Sequence, residues 1–224
     1  MNALVSAVLG TVVCGTAAAA VAGSSRPQEP TFSTSTYEVS NWRAEALKNV
    51  HVTEAELAAR GSRCMKLNNY WCLKGVGANG TAGWDGGLGV DDDGHAAFRS
   101  GVYGARAAAR NLRTAYTKRG RKTAWDIMSV YAPPDDCVGG ERNRRPDGSC
   151  RHGKNPTATY AAQVARGISD DIRADLRLFT PAGAATENLH TLLANIAAFE
   201  IGRLRVRDEV IRTGICMEAG TCTP

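Results

Sequence analysis

Aromatic residues are scarce in this chain: Trp, Tyr and Phe together make up 6% of 224 residues. The C-x-x-C spacing is absent, and the four histidines (His51, His95, His152 and His190) are scattered. The usual zinc-ligand patterns are therefore missing, and neither a metal centre nor a cofactor is expected. Asp91-Asp92-Asp93-Gly94 lacks the spaced ligands and closing Glu of a calcium loop and reads as a turn. No nucleic-acid motif occurs, and the aromatics do not interleave with the basic residues. The net charge of +5 therefore points to an anionic wall or membrane surface and not to nucleic acid. No internal repeat is visible.

The first 25 residues contain no Lys or Arg, and residues 3–22 carry no charge of either sign. They are rich in Ala, Val and Leu. Ala20-Val21-Ala22 is an A-x-A cleavage pattern, so residues 1–22 are expected to be an export signal. The missing n-region charge leaves a second reading, an N-terminal membrane segment, since a helix of this length spans about 30 Å. A third is a segment that inserts and is later released. Residues 23–40, rich in Ser, Thr and Pro, are expected to be a flexible linker.

Cysteine is plentiful by comparison. Of seven, Cys14 lies in the N-terminal segment, and the others fall into three close pairs: Cys64 and Cys72, Cys137 and Cys150, Cys216 and Cys222. An even set in an exported chain predicts disulfides, with local pairing expected from among fifteen connectivities. Export places the protein in the periplasm or outside the cell.

Helical periodicity dominates residues 41–212. Thr53-Glu54-Ala55-Glu56 is a capping box, with Gly61 ending a short helix. Residues 75–94 are glycine-rich and predict loop or short strand. Val102–Arg119 presents an apolar face through Ala105, Ala108, Leu112 and Tyr116, and a solvated basic one through Arg106, Arg110 and Arg113. Thr123 caps a helix that Pro133-Pro134 ends. Residues 135–154 read as a surface loop pinned by Cys137 and Cys150. Further helices are expected over Thr157–Ile168 and residues 170–178. Residues 213–224 are expected to be a stapled tail. The fold class is mainly α, a helical domain with a small Gly-rich β or loop region and local disulfides.

One residue breaks the pattern in an informative way. In the helix around residues 187–200, Leu189, Leu193, Ile196 and Glu200 fall within roughly 60° of one another at 100° per residue. A carboxylic acid on an apolar stripe keeps its proton towards neutral pH and can act as a general acid. The competing reading is a core-edge Glu held by Arg203, Arg205 or Arg207.

Five short patterns then line up in order. Asn68-Asn69-Tyr70-Trp71-Cys72-Leu73-Lys74 resembles the Asn-Asn motifs of flagellar and autolysin glucosaminidases, and of phage virion and lysis proteins with lysozyme-like domains. Trp84 to Phe98, with its Gly-rich turn, resembles the phage pattern that follows. Gly104-Ala105-Arg106-Ala107 with Leu112 and Tyr116 is similar to the next helix there. Tyr131-Ala132-Pro133-Pro134, then Asn155-Pro156-Thr157 and Tyr160, resembles a Trp-Ala-Pro-Pro … Asn-x-Thr-x-x-Tyr run, here split by the cysteine-bracketed insertion. Phe199-Glu200-Ile201-Gly202 resembles the terminal His-Glu-Asn-Gly segment, with Ile201 departing from it.

The resemblance covers roughly residues 61–205. It implies a lysozyme-like fold and a peptidoglycan-cleaving glycosidase (muramidase, lytic transglycosylase or glucosaminidase), or a non-catalytic wall-binding or virion structural protein on the same fold. Glu200 is the expected catalytic acid, with Glu54 and Glu56 as rivals. Asp91–Asp93 or Asp135 could supply a second carboxylate. Sugar contacts are expected from Trp84, Tyr131 and Tyr160 with the amides of Asn68, Asn69 and Asn155. Trp71 is a further candidate platform, and core packing is the competing role for Tyr131 and Tyr160.

Overall fold

A computed structural model describes residues 28–78, 80–140 and 143–223. The proposed export segment and Cys14 lie outside these residues. Within the expected linker, the described residues form a short antiparallel hairpin, β1 (Phe32–Ser33) with β2 (Glu38–Val39), whose Val39 is fully buried. That burial ties residues 31–40 to the domain.

Helices α1 (Trp42–Asn49), α2 (Glu54–Arg60) and α3 (Arg63–Lys66) follow. The capping box forms as the sequence predicts. Thr53 Oγ1 accepts from the Glu56 N–H at 3.2 Å, and Glu56 Oε2 accepts from the Thr53 N–H at 2.9 Å. These bonds lower the Glu56 pKa, the opposite of what an acid catalyst needs, so Glu56 is a cap.

The glycine-rich region forms a second hairpin, β3 (Gly87–Val90) with β4 (Ala96–Phe98), bulged between Gly87 and Gly89. Its turn is not solvated throughout. Asp91 has a fully enclosed carboxylate that accepts the N–H groups of Asp93 at 3.0 Å and His95 at 2.7 Å and faces Arg63.

The centre of the domain is α4 (Gly101–Arg113), extended by a π-helical turn over Thr114–Lys118 and stopped at Gly120, which adopts φ 65°. Its buried face is almost bare: Gly101, Gly104, Ala105, Ala107, Ala108, Ala109 and Leu112. Bare helix lets neighbours come close. The expected basic face is only partly solvated. Arg106 pairs with Asp85 at 2.7 Å, and Arg113 clasps Glu218 at 2.7–2.8 Å.

Helices α5 (Ala124–Tyr131) and α6 (Thr157–Val164) pack together, and α6 packs on α7 (Glu187–Glu200). Residues 170–178 do not form the expected helix. Asp171 and Asp175 accept the N–H groups of Arg173 and Arg177 at 2.8 Å in local turns, and the backbone pairs outward instead, Leu176 N–H to Lys122 O at 2.9 Å.

The C-terminal segment also differs from the expected tail. Residues Asp208–Glu218 form α8, which lies along α4. Gly214 makes this contact possible, because a Cβ there would stand 2.4 Å from Ala105 Cβ. The three cysteine pairs are the local ones expected, with Cα–Cα separations of 5.3, 5.2 and 5.5 Å. The described chain is thus mainly helical, with eight α-helices and two small sheets.

The α4–α8 contact yields a stability prediction. Gly214→Ala should lower unfolding free energy by about 1–3 kcal/mol through overpacking, although Ala is otherwise the better helix former. Urea denaturation of the oxidised protein measures it; an unchanged or raised midpoint would show that the helices part without cost.

Candidate active site

Glu200 is the last residue of α7. Apolar residues seat this helix: Leu189, Leu192, Leu193, Ile196 and Ala197 are all fully buried. Two polar contacts fix its register. The indole N–H of buried Trp71 donates to Leu193 O at 2.9 Å, and Asn195 Nδ2 donates to the carbonyls of Val164 and Arg166, both at 2.9 Å. The second contact caps the end of α6 with an α7 side chain. Beyond Glu200 the chain turns sharply through Gly202 and Arg203, both at positive φ (71° and 67°).

The carboxyl of Glu200 is partly buried and meets Tyr160 of α6, whose Oη donates to Glu200 Oε1. Burial raises the Glu200 pKa above the ordinary carboxylate value, while the Tyr160 hydrogen bond opposes the rise. The position adds to the upward push, because a carboxylate at a helix C-terminus faces the negative end of the macrodipole. The arginine-held alternative is not what the fold builds. No arginine contributes to the shift, and among the described residues only Tyr160 hydrogen-bonds the carboxyl.

Tyr131, at the end of α5, belongs to the same cluster. Its phenol is pushed up to about 12, by burial first and also by the Glu200 charge, while the Asn111 Nδ2 donation to its Oη at 3.3 Å opposes the rise. Tyr160 also holds its proton more tightly than a free phenol, from burial first and the Glu200 charge second. Both phenols are therefore donors at physiological pH. The backbone beneath them is pinned where the insertion begins and ends: Asn155 Nδ2 donates to Pro133 O at 3.0 Å and Thr157 Oγ1 to Ala132 O at 2.5 Å.

The site residues expected from sequence therefore separate into two groups. Glu200, Tyr131 and Tyr160 come together. Asn68 and Asn69 do not: both are fully buried, and their N–H₂ groups are spent on the fold. Asn69 Nδ2 donates to Leu73 O and Ala96 O at 2.9 and 2.8 Å, and Asn68 Nδ2 to Phe98 O at 3.1 Å. They tie the loop after α3 to β4 and present nothing to a sugar. Trp71 is likewise enclosed. Trp84 is partly exposed, with its indole N–H on Lys74 O at 2.9 Å, and Asn155 serves the insertion as described.

Two residues of the cluster were not among the expected site residues. Asn111 is the one side-chain amide on α4, flanking its apolar face. Phe199, adjacent to Glu200, stacks on Tyr160 at 3.8 Å and 17° and is 37% exposed. The described surface has concavities of about 700, 420 and 120 Å³. Glu200 lines none of these three, but Phe199 lines the smallest. No protein-family model matches the chain, and a search of curated proteins found no match.

The raised pKa of Glu200 carries a stability cost whose sign can be worked out. The folded state holds this proton to higher pH than the unfolded chain. Stability at this site is therefore full below about pH 4 and falls as pH rises through the folded pKa. Glu200→Gln should be more stable than wild type near pH 7 and equal to it in acid. Thermal unfolding at the two pH values checks this, and an advantage that is the same at both would show that the carboxyl ionises freely.

Proposed function

We propose that this chain is an exported peptidoglycan-cleaving glycosidase with a lysozyme-like domain, in which Glu200 is the general acid. One observation carries the reading: a partly buried carboxyl with a raised pKa, free of arginine and held by a tyrosine hydroxyl. Glycosidic cleavage needs such a group to protonate the leaving oxygen. The ordered motifs of residues 61–205 supply the substrate class. The three local cysteine pairs suit an oxidising compartment, and among the described residues no helix is long and apolar enough to cross a membrane.

A hydrolase of the usual kind places a second carboxylate about 5–9.5 Å from the acid. Burial and Tyr160 account for the Glu200 shift, with no neighbouring carboxylate contributing. The acidic candidates are engaged elsewhere, Asp91–Asp93 with Arg63 and Asp135 with Lys154. This favours a single-acid route. Glu200 protonates the glycosidic oxygen and the C1–O bond breaks. The 6-hydroxyl of the same sugar then closes on C1, returning its proton to the Glu200 carboxylate. The product is a 1,6-anhydro end, the lytic transglycosylase outcome. Tyr160 orients the carboxyl throughout, and Tyr131 with Asn111 forms the polar wall beside it. The absence of Glu200 from the three concavities favours one rival, a wall-binding protein on the same scaffold.

Incubating the oxidised protein with purified sacculi decides between them. Soluble anhydro-muramyl fragments are expected, and Glu200→Gln should abolish their release while leaving the protein folded. Sedimentation with sacculi and no release from wild type would establish the binding role instead. Tyr160→Phe should slow cleavage and move the alkaline limb of the pH–rate profile upward, because the bond it removes is the one that lowers the Glu200 pKa. A limb that stays in place or moves down would uncouple this tyrosine from the acid.

A further inference from the structure

The cavity beside Phe199 holds chemistry that proton transfer to a glycosidic oxygen does not use. It measures about 120 Å³ and is lined by Gln163, Arg166, Asn195, Ala198, Phe199 and Arg203. An engineered cavity of about 150 Å³ admits benzene, so this one takes a single small group and not a run of sugar rings. It lies one ring from the acid: Phe199 stacks on Tyr160, and Tyr160 hydrogen-bonds Glu200.

The lining is cationic and rich in acceptors. Among the described residues, neither Arg166 nor Arg203 has a carboxylate at ion-pair distance, whereas Arg113 and Arg212 are paired with Glu218 and Glu187. Arg203 is placed there at a backbone cost, since it holds a left-handed φ of 67° that a non-glycine residue seldom adopts. Asn195 commits its N–H₂ to the carbonyls of Val164 and Arg166, which leaves its side-chain oxygen as an acceptor. Gln163 Oε1 is buried without any hydrogen-bond partner. Such a group is costly to leave unpaired, and the terminal amide torsion is soft enough to turn it towards an occupant.

Two guanidiniums beside two amide oxygens complement an anion that carries an adjacent N–H. We infer that this cavity is a subsite for an N-acylated amino acid, its carboxylate paired with Arg166 and Arg203 and its amide N–H donated to Gln163 Oε1. The inference rests on the peptidoglycan reading for the origin of that group, which is the peptide borne by the glycan strand. The protein then selects peptide-substituted strands over bare ones, and the peptide anchors the sugar whose glycosidic bond faces Glu200.

Isothermal titration calorimetry on the full oxidised chain tests this with two probes, N-acetylmuramyl-L-alanyl-D-glutamate, whose α-carboxylate adjoins the amide N–H, and the N-acetylglucosamine tetramer. The muramyl dipeptide is expected to bind, and Arg166→Ala and Arg203→Ala should each weaken it about tenfold or more without changing binding of the tetramer. Gln163→Leu should also weaken the dipeptide while the unfolding midpoint holds or rises, a combination that a purely structural role would not produce. Glu200→Gln should bind the dipeptide as wild type does. No dipeptide binding by wild type, or undiminished binding by both arginine variants, overturns the subsite. A protein that cleaves sacculi but shows no arginine effect loses this inference alone. One that binds the dipeptide through both arginines yet releases nothing loses the glycosidase reading alone.

Discussion

Close approach to a nearly bare helix organises this protein. Along α4, Gly101 faces the ring of Tyr70, Gly104 lies under the Asn68 carbonyl, and Ala105 meets Gly214 of α8; a Cβ on any of the three glycines would come within 2.9 Å of its neighbour. Small residues on one helix thus let an aromatic ring, a loop carbonyl and a second helix share a single buried surface. Packing this tight tolerates little change in volume. The same helix carries Asn111 on its flank, so the element that organises the core also sets one wall of the candidate site.

The second level of organisation is polar. Buried amides do work that a hydrophobic core cannot, because each names a particular carbonyl. Asn69 ties the loop after α3 to β4, Asn195 ties α7 to the end of α6, and Trp71 reaches the middle of α7. Each satisfied buried bond contributes only about 1 kcal/mol net, but leaving a partner unmet costs more. The bonds therefore act mainly by excluding other registers of α7. Since Glu200 ends that helix, its meeting with Tyr160 depends on this register. The carboxyl itself is a local liability, partly withdrawn from water at the negative end of a helix. A fold that keeps an unfavourable group in a well-fixed place has the character of a functional site.

Much of this was legible in the chain. The capping box at Thr53 and the cap at Thr123 form, since their bonds are completed within four residues. The cysteine pairs close locally, and the stripe containing Leu189, Leu193 and Ile196 is buried. Other features misled for identifiable reasons. Residues 170–178 have helical periodicity, but Asp171 and Asp175 capture nearby N–H groups and the strip pairs with the 122–125 segment. The tail expected over residues 213–224 instead starts inside α8, where Gly214 marks the touch of two helices. Asn68 and Asn69 looked like hydrogen-bonding groups for a ligand, and they are, but their partners are backbone carbonyls about thirty positions away as well as close by.

The sequence alone determined what depends on neighbours along the chain: caps, turns, short disulfide loops, and the placing of one acid on an apolar helical face. Only the tertiary structure decided which tyrosine would meet that acid, that no arginine would hold it, and that Phe199 would line a cationic cavity while stacking on that tyrosine. Those outcomes depend on how α5, α6 and α7 cross. That crossing is settled by side-chain volumes and buried hydrogen bonds between residues far apart in the chain, which local periodicity does not encode.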